Sequence, residues 1–100
     1  MIRFSVFYPA KEGQTFNLEY YKNTHMPLAG KLLEPVRYEV DKGLSGGAPG
    51  SPAPFVAACH FYFESLEYFG ARISVHRPAL QADMVNYTTI EPIVQISEIV

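Results

Sequence analysis

The feature that most constrains this chain is the order in which two kinds of apolar spacing follow one another. Apolar side chains recur at every second position, as in strands, over residues 2–8, 34–42, 55–64 and 90–100. They recur at steps of three and four, as in helices, between the first two of these runs and again between the last two. This order predicts the arrangement β-α-β-β-α-β.

That arrangement is the split βαβ plan called ferredoxin-like, an α+β fold with a four-stranded antiparallel sheet and both helices on one face. One hundred residues suffice for one such domain, spanning residues 1–100, and leave no room for a second. Residues 43–54 hold four Gly, three Pro and two Ser, which predicts an irregular connection between the two middle strands.

The other sheet face needs a cover, because two helices can pack on only one side. The strand residues fall into two sets that point to opposite faces, one almost wholly apolar and one that mixes polar groups with large aromatics. The apolar set is Phe4, Val6, Cys59, Phe61, Phe63, Val94 and Ile96, and the mixed set is Arg3, Ser5, Phe7, His60, Tyr62, Gln95 and Ser97. Alternation does not tell which set meets the helices. The mixed set carries little charge for a face in water, so we expect a homodimer that buries it.

The first helix should begin after Asn17, whose side chain can cap a free backbone N–H. Phe16 and Tyr21 have the spacing of a hydrophobic staple around that cap. Pro27 predicts a break or kink, followed by a second helical stretch to about Leu33. The apolar face of this segment is predicted to consist of Leu18, Tyr21, His25, Leu28 and Leu32.

The second helix should begin after Ser65, again a capping residue. Leu66, Phe69 and Ile73 follow at helical spacing, and a weaker helical stretch covers residues 76–86 after Pro78.

Composition excludes several classes of function. A net charge of −2 without a basic run argues against binding to nucleic acid or to an anionic membrane. No apolar stretch approaches the roughly 20 residues needed to span a bilayer. Cys59 is the only cysteine, so no intrachain disulfide can form. We expect a cytoplasmic protein.

His25 is the candidate catalytic residue, because it stands on the apolar helix face next to the proline break. A helix C-terminus favours its cation, whereas apolar surroundings favour the neutral ring. An imidazole near neutrality in an apolar pocket can act as general acid or base. The alternative is a core histidine whose ring is hydrogen-bonded by a backbone carbonyl.

Three further side chains are candidates for substrate binding. Tyr21 shares the helix face of His25, Tyr38 lies on a neighbouring strand, and His60 lies mid-strand beside an aromatic residue. Cys59 adjoins His60 but points to the opposite face, so a Cys–His nucleophile is not expected and Cys59 should be a core thiol. The spacing of His and Cys shows no metal-site pattern.

One segment combines several of these residues in a distinctive run. Its members are Phe16, Asn17, Tyr20, Tyr21, Thr24, His25, Met26, Pro27 and Leu28. The run resembles the signature of the EthD-like family, which belongs to the dimeric α/β-barrel superfamily. Looser matches lie at residues 61–67 and 86–88, so the resemblance extends across the chain.

The resemblance implies a ferredoxin-like subunit that pairs through its sheet into a homodimeric barrel, with a pocket between helices and sheet. It implies a small apolar, aromatic or lactone-like organic ligand and no cofactor. The resemblance further implies one of two roles. One is that of a cofactor-independent isomerase-, lyase- or oxidoreductase-like enzyme in the degradation of organic compounds, and the other is that of a non-catalytic accessory protein. Within the matched motif, His25 is implied as a pocket residue, accompanied by Tyr21 on the same helical face.

Overall fold

The computed structural model describes all 100 residues and confirms the predicted α+β, ferredoxin-like order. Its elements are β1 (Ile2–Pro9), α1 (Leu18–Tyr20), a π-helical turn (Tyr21–His25), α2 (Met26–Leu33), β2 (Arg37–Lys42), β3 (Phe55–Phe63), α3 (Leu66–Asp83), a short 3₁₀ turn (Met84–Asn86) and β4 (Ile93–Glu98). The strands form one sheet in the order β2-β3-β1-β4, and all neighbouring strands are antiparallel. No helix is long and apolar enough to cross a membrane.

The apolar set of strand residues is the one that meets the helices. Phe4 pairs with Phe61 on β3 and with Ile96 on β4, which places the three on one face. The rings of Phe4 and Phe63 pack on Phe69 of α3, with centroids 4.9 and 5.1 Å apart. Alternation alone did not tell which set of strand residues meets the helices. These ring contacts show that the apolar set does, as expected because helices need an apolar surface to pack on.

The start of the first helical segment is confirmed in detail. The Asn17 Oδ1 atom accepts a hydrogen bond from the backbone N–H of Tyr20 at 3.1 Å. The rings of Phe16 and Tyr21 pack with centroids 5.1 Å apart, as a hydrophobic staple requires. The Ser65 side chain caps α3 in the same way, by accepting from the N–H of Tyr68.

The chain does not leave helical geometry at Pro27, but a separate helical stretch does begin there, as predicted. His25 and Met26 keep right-handed helical backbone angles, and the irregularity takes the form of the π turn. In this turn the N–H of Met26 bonds to the carbonyl of Tyr21, five residues back. Pro27 then lies in the first turn of α2, where a missing N–H costs little. The second stretch ends at Leu33, as predicted.

The π turn also changes which residues α2 buries. It adds one residue to a helical turn, so the inward side of the helix moves one position along the chain. Leu28 is therefore 37% exposed, whereas Ala29 and Leu33 are buried. The predicted apolar face is correct up to His25 and wrong beyond it.

Local backbone constraints shorten two predicted strands. β2 begins only at Arg37, because Glu34 ends α2 in a left-handed conformation with φ of 49°. β4 begins at Ile93, directly after Pro92, which has no N–H for the ladder. In contrast, α3 continues through Pro78 as one helix. Residues 43–54 contain no helix or strand, as predicted.

The sheet face away from the helices carries more charge than the mixed set alone. β2 contributes Arg37, Glu39 and Asp41 to it, since these residues pair with Tyr62, His60 and Ala58 of β3. The Arg37 guanidinium lies 3.8 Å above the ring of Tyr62 and 2.9 Å from a Glu39 carboxylate oxygen. The charges of this face are thus largely paired with one another.

Candidate functional site

A cavity of about 190 Å³ lies between the helices and the sheet. Eighteen residues line it, and 14 of these are hydrophobic. β1 and β3 supply one wall, the π turn and α2 a second, and α3 a third, while Pro92 and Val94 lie at the β4 side. A mostly apolar cavity with few polar groups is typical of a small-molecule site.

The π turn brings two aromatic rings to this cavity. Tyr21 and His25 stand at its two ends, both are buried, and both line the cavity. Their rings are stacked, with centroids 5.5 Å apart and planes inclined by 14°. π turns of this kind occur frequently at functional sites.

Asp83, the last residue of α3, holds the imidazole of His25. Its Oδ2 atom lies 2.8 Å from His25 Nδ1. Its Oδ1 atom accepts hydrogen bonds from the Tyr20 hydroxyl at 2.7 Å and from the Asn86 amide at 2.9 Å. Burial opposes ionisation of this carboxyl, but the hydrogen bonds from Asn86, His25 and Tyr20 outweigh it and lower the pKa of Asp83.

This arrangement determines the tautomer of His25. An ionised carboxylate only accepts hydrogen bonds, so Nδ1 of His25 must be the donor to Asp83. Burial lowers the pKa of His25 even though Asp83 acts in the opposite direction. The ring is therefore neutral at pH 7, with its proton on Nδ1 and a lone pair on Nε2. That lone pair is a base inside an apolar cavity.

Nε2 meets only a weak partner within the protein. The Tyr87 hydroxyl lies 3.4 Å from it, near the upper limit for a hydrogen bond. The Tyr87 hydroxyl is also 2.8 Å from that of Tyr8. Burial raises the pKa of Tyr87 and raises that of Tyr8 to about 12, so both stay protonated at neutral pH. A ligand can take the weak contact to Nε2 without breaking a short hydrogen bond.

A short backbone pairing brings Tyr87 to this position. Phe16 and Thr88 form an isolated antiparallel bridge, and the Asn17 N–H donates to the Tyr87 carbonyl at 2.7 Å. The segment after α3 is thereby joined to the start of α1, and Tyr87 reaches a ring-centroid distance of 4.6 Å from His25.

The Tyr21 hydroxyl is fully buried and makes no hydrogen bond of ordinary geometry, although the Cys59 thiol and the Tyr8 hydroxyl lie beside it. Burial raises the pKa of Tyr21, so its oxygen keeps the proton. Tyr21 lines the cavity, so its hydroxyl is a candidate donor there.

Tyr38 and His60 lie away from His25. Tyr38 packs beside Gly30, where a Cβ atom would come within 2.8 Å of its ring, and it does not line the cavity. His60 is on the other face of the sheet, hydrogen-bonded to Ser5 Oγ at 2.8 Å and to Asp41 Oδ2 at 2.9 Å. The structure thus brings Tyr21 and His25 together and separates the other two.

Cys59 lies in the core, as predicted, and burial raises the pKa of its thiol to about 12. It lines the cavity as a protonated apolar group. No cluster of three or more His, Cys, Asp or Glu side chains is placed to hold a metal ion.

Sequence reasoning did not identify Asp83 or Tyr87 as site residues. Asp83 is 58 positions from His25, so no local spacing joins them. The sequence does show an acidic residue at the end of the second helix and a tyrosine shortly before the last strand. These two residues indicate a site only once the segment that carries Tyr87 is known to lie beside α1.

The fold and cavity define an α+β, ferredoxin-like protein with an apolar cavity between helices and sheet. The chain belongs to the EthD family, since the EthD domain model matches residues 14–91. An EthD-like protein of Ralstonia eutropha JMP134 is 42% identical, with 99% of this chain and 91% of that one covered and a TM-score of 0.93.

More distant structures share the fold. An ethyl tert-butyl ether D (EthD) family protein of Bacillus halodurans C-125 is 21% identical, with 100% of this chain and 99% of that one covered and a TM-score of 0.77. HapK from Hahella chejuensis is 13% identical, with coverages of 98% and 92% and a TM-score of 0.54. No curated protein matches the chain significantly.

Proposed function

We propose that this protein binds a small, largely apolar organic molecule, aromatic or lactone-like, and that His25 transfers a proton to or from it. One observation carries the proposal: Asp83 holds Nδ1 of a neutral imidazole, and Nε2 carries a lone pair in an apolar cavity. A base of this kind requires no cofactor to remove a proton from carbon next to a carbonyl.

The reaction class is an isomerisation by proton transfer. Nε2 of His25 takes a proton from carbon, the electron pair moves onto the carbonyl oxygen as an enolate, and Nε2 then delivers a proton to another carbon as the carbonyl re-forms. The Tyr21 hydroxyl is the proposed donor to the enolate oxygen, because Tyr21 lines the cavity beside His25 and its oxygen is protonated. A donor aimed at developing charge in a dry site stabilises the transition state.

Exchange of carbon-bound hydrogen tests this role without knowledge of the natural substrate. Unsaturated γ-lactones and cyclic ketones are incubated with the protein in D₂O, and loss of the proton next to the carbonyl is followed by NMR. His25→Gln should abolish the accelerated exchange, because an amide is no base at neutral pH.

His76→Gln is the matched control, since His76 lies on α3 outside the cavity lining. It should leave the exchange rate unchanged. Undiminished exchange in His25→Gln, with the fold intact by circular dichroism, would contradict the proposed role.

The second candidate is a binding or accessory role without chemistry. It is favoured by the position of His60, which does not join His25 as a second titratable group. In that case a bound lactone or aromatic compound should raise Tm, while mass spectrometry shows no conversion. Conversion that depends on His25 would reject this alternative.

We also propose a homodimer through the sheet face opposite the helices. The proposal is supported by aromatic residues on that face, among them Phe7, and by the Arg3 Nε atom, which is buried without a partner. The charged side chains of β2 are already paired within the chain, which lowers the cost of burying them. A monomeric mass by light scattering at micromolar concentration would contradict this assembly.

A further inference from the structure

One cavity wall carries a cation where an apolar residue is expected. The inward side of α3 presents Ile73, Arg77, Leu80 and Met84, at steps of four, three and four, and all four line the cavity. Three of these residues are apolar, as core-facing helix positions usually are. Arg77 lines the cavity and is nevertheless exposed, so it lies at the rim, where a long side chain can combine apolar contact with a solvated charge.

The guanidinium of Arg77 has no partner in the protein. None of the five ion pairs and none of the side-chain hydrogen bonds involves it. Its neighbours one turn away on α3 are Ile73, Ser74, Leu80 and Gln81, none of which is acidic.

Arg77 also supplies the only permanent charge of the cavity. No Asp or Glu is among the lining residues, and the amide of Gln81 is the neutral polar group next to Arg77. Asp83, at the end of the same helix, keeps its negative charge because its partners Tyr20, Asn86 and His25 are neutral, but it forms no ion pair with Arg77. Arg77 is therefore the one lining residue that can pair with an anionic group.

We propose that the ligand carries an anionic oxygen group, a carboxylate or a phenolate, which binds Arg77 while its apolar body occupies the cavity toward His25. The inference rests on the ligand-binding role proposed above and adds the charge of the ligand. A planar guanidinium matches a carboxylate through two parallel N–H···O bonds. Apolar walls strengthen such a contact relative to bulk water.

Matched pairs of probes test the charge directly. Benzoate and neutral benzamide form one pair, and 4-nitrophenolate and neutral nitrobenzene form the other, so that the two sources of anionic oxygen are separated. Affinities are measured by calorimetry or ligand-observed NMR. The anion of at least one pair should bind more tightly than its neutral partner.

Substitutions at Arg77 locate the effect. Arg77→Gln should weaken binding of the preferred anion about fivefold, as expected for a partly exposed charge contact, and leave its neutral partner within about twofold. Arg77→Lys should recover part of the loss. Lys31→Gln removes one positive charge from an exposed position outside the cavity and should change neither affinity.

Two failures are distinguishable. If neutral and anionic probes bind equally, and Arg77→Gln alters neither, the charge inference is overturned while the cavity remains a ligand site. Ala29→Leu, which fills part of the cavity wall, should then still weaken every probe. If no probe binds the wild-type protein at all, both the charge inference and the aromatic ligand proposed above are overturned.

Discussion

Asp83→Asn should invert the tautomer of His25. The carboxylate accepts three hydrogen bonds, from Tyr20, Asn86 and His25. An asparagine oxygen can still accept from Tyr20 and Asn86, but its amide N–H₂ then faces Nδ1 of His25. Nδ1 must become an acceptor and the ring proton must move to Nε2. The Nε2 atom that faces the cavity is then a hydrogen-bond donor and no longer a base.

The loss of stability follows from the burial of the pair. The side chains of His25 and Asp83 are 8% and 15% exposed, so solvent screens their contact little. The variant replaces a hydrogen bond to a charged group, worth about 1.5–3 kcal/mol, with a neutral one worth about 0.5–1.5 kcal/mol, so it should cost about 1–1.5 kcal/mol. For a chain of this length Tm should fall on the order of 10 °C.

Long-range ¹H–¹⁵N NMR of the imidazole is the decisive measurement. Wild-type protein should show the proton on Nδ1 and the variant should show it on Nε2. Glu19→Gln serves as the control, because Glu19 is an exposed partner of Lys22 and its loss should cost less than about 1 kcal/mol. An unchanged tautomer in Asp83→Asn would refute the assignment of the base.

The pH dependence of stability should report His25. Folding lowers its pKa from the ordinary 6.5, so the unfolded chain takes up this proton first as pH falls. The free energy of unfolding should therefore decrease below about pH 6.5, by at most about 1.4 kcal/mol per pH unit, and urea titrations should show a smaller decrease for His25→Gln. Leu33→Ala removes a fully buried side chain and should cost about 2–5 kcal/mol by the same assay, with a cost below 1 kcal/mol arguing against close packing there. Ser65→Ala removes the α3 cap and should cost about 1 kcal/mol, whereas Ser65→Gly should cost only a few tenths.

Regular periodicity explains why much of the fold could be predicted. Alternation along β1 and β3 is imposed by strand geometry, and the caps at Asn17 and Ser65 are local hydrogen bonds. Such features depend on a few neighbouring residues, which the sequence displays directly.

The predictions failed at two kinds of place. One is where a single residue shifts the helical periodicity, and the other is where two interacting residues are far apart in the sequence. A single added residue in the π turn moved burial from Leu28 to Ala29, and proline alone does not reveal that turn. The importance of His25 was visible, but its proton state depends on Asp83, which only tertiary packing brings near. The position of His60 away from the cavity likewise depended on which sheet face the helices cover, which alternation left open.

The π turn links the regularity of the helix to the stacking of Tyr21 on His25 within one short segment. Deleting one residue among positions 22–24 would restore a regular α-helix, with better backbone hydrogen-bond geometry, while α2 could keep its packing. It would also bring Tyr21 and His25 to a spacing of three residues, which changes how their stacked rings overlap. A more regular helix is thus attainable by deleting one codon, at the expense of the present stacking geometry. Relatives in which this turn is α-helical should therefore lack the same Tyr–His stack.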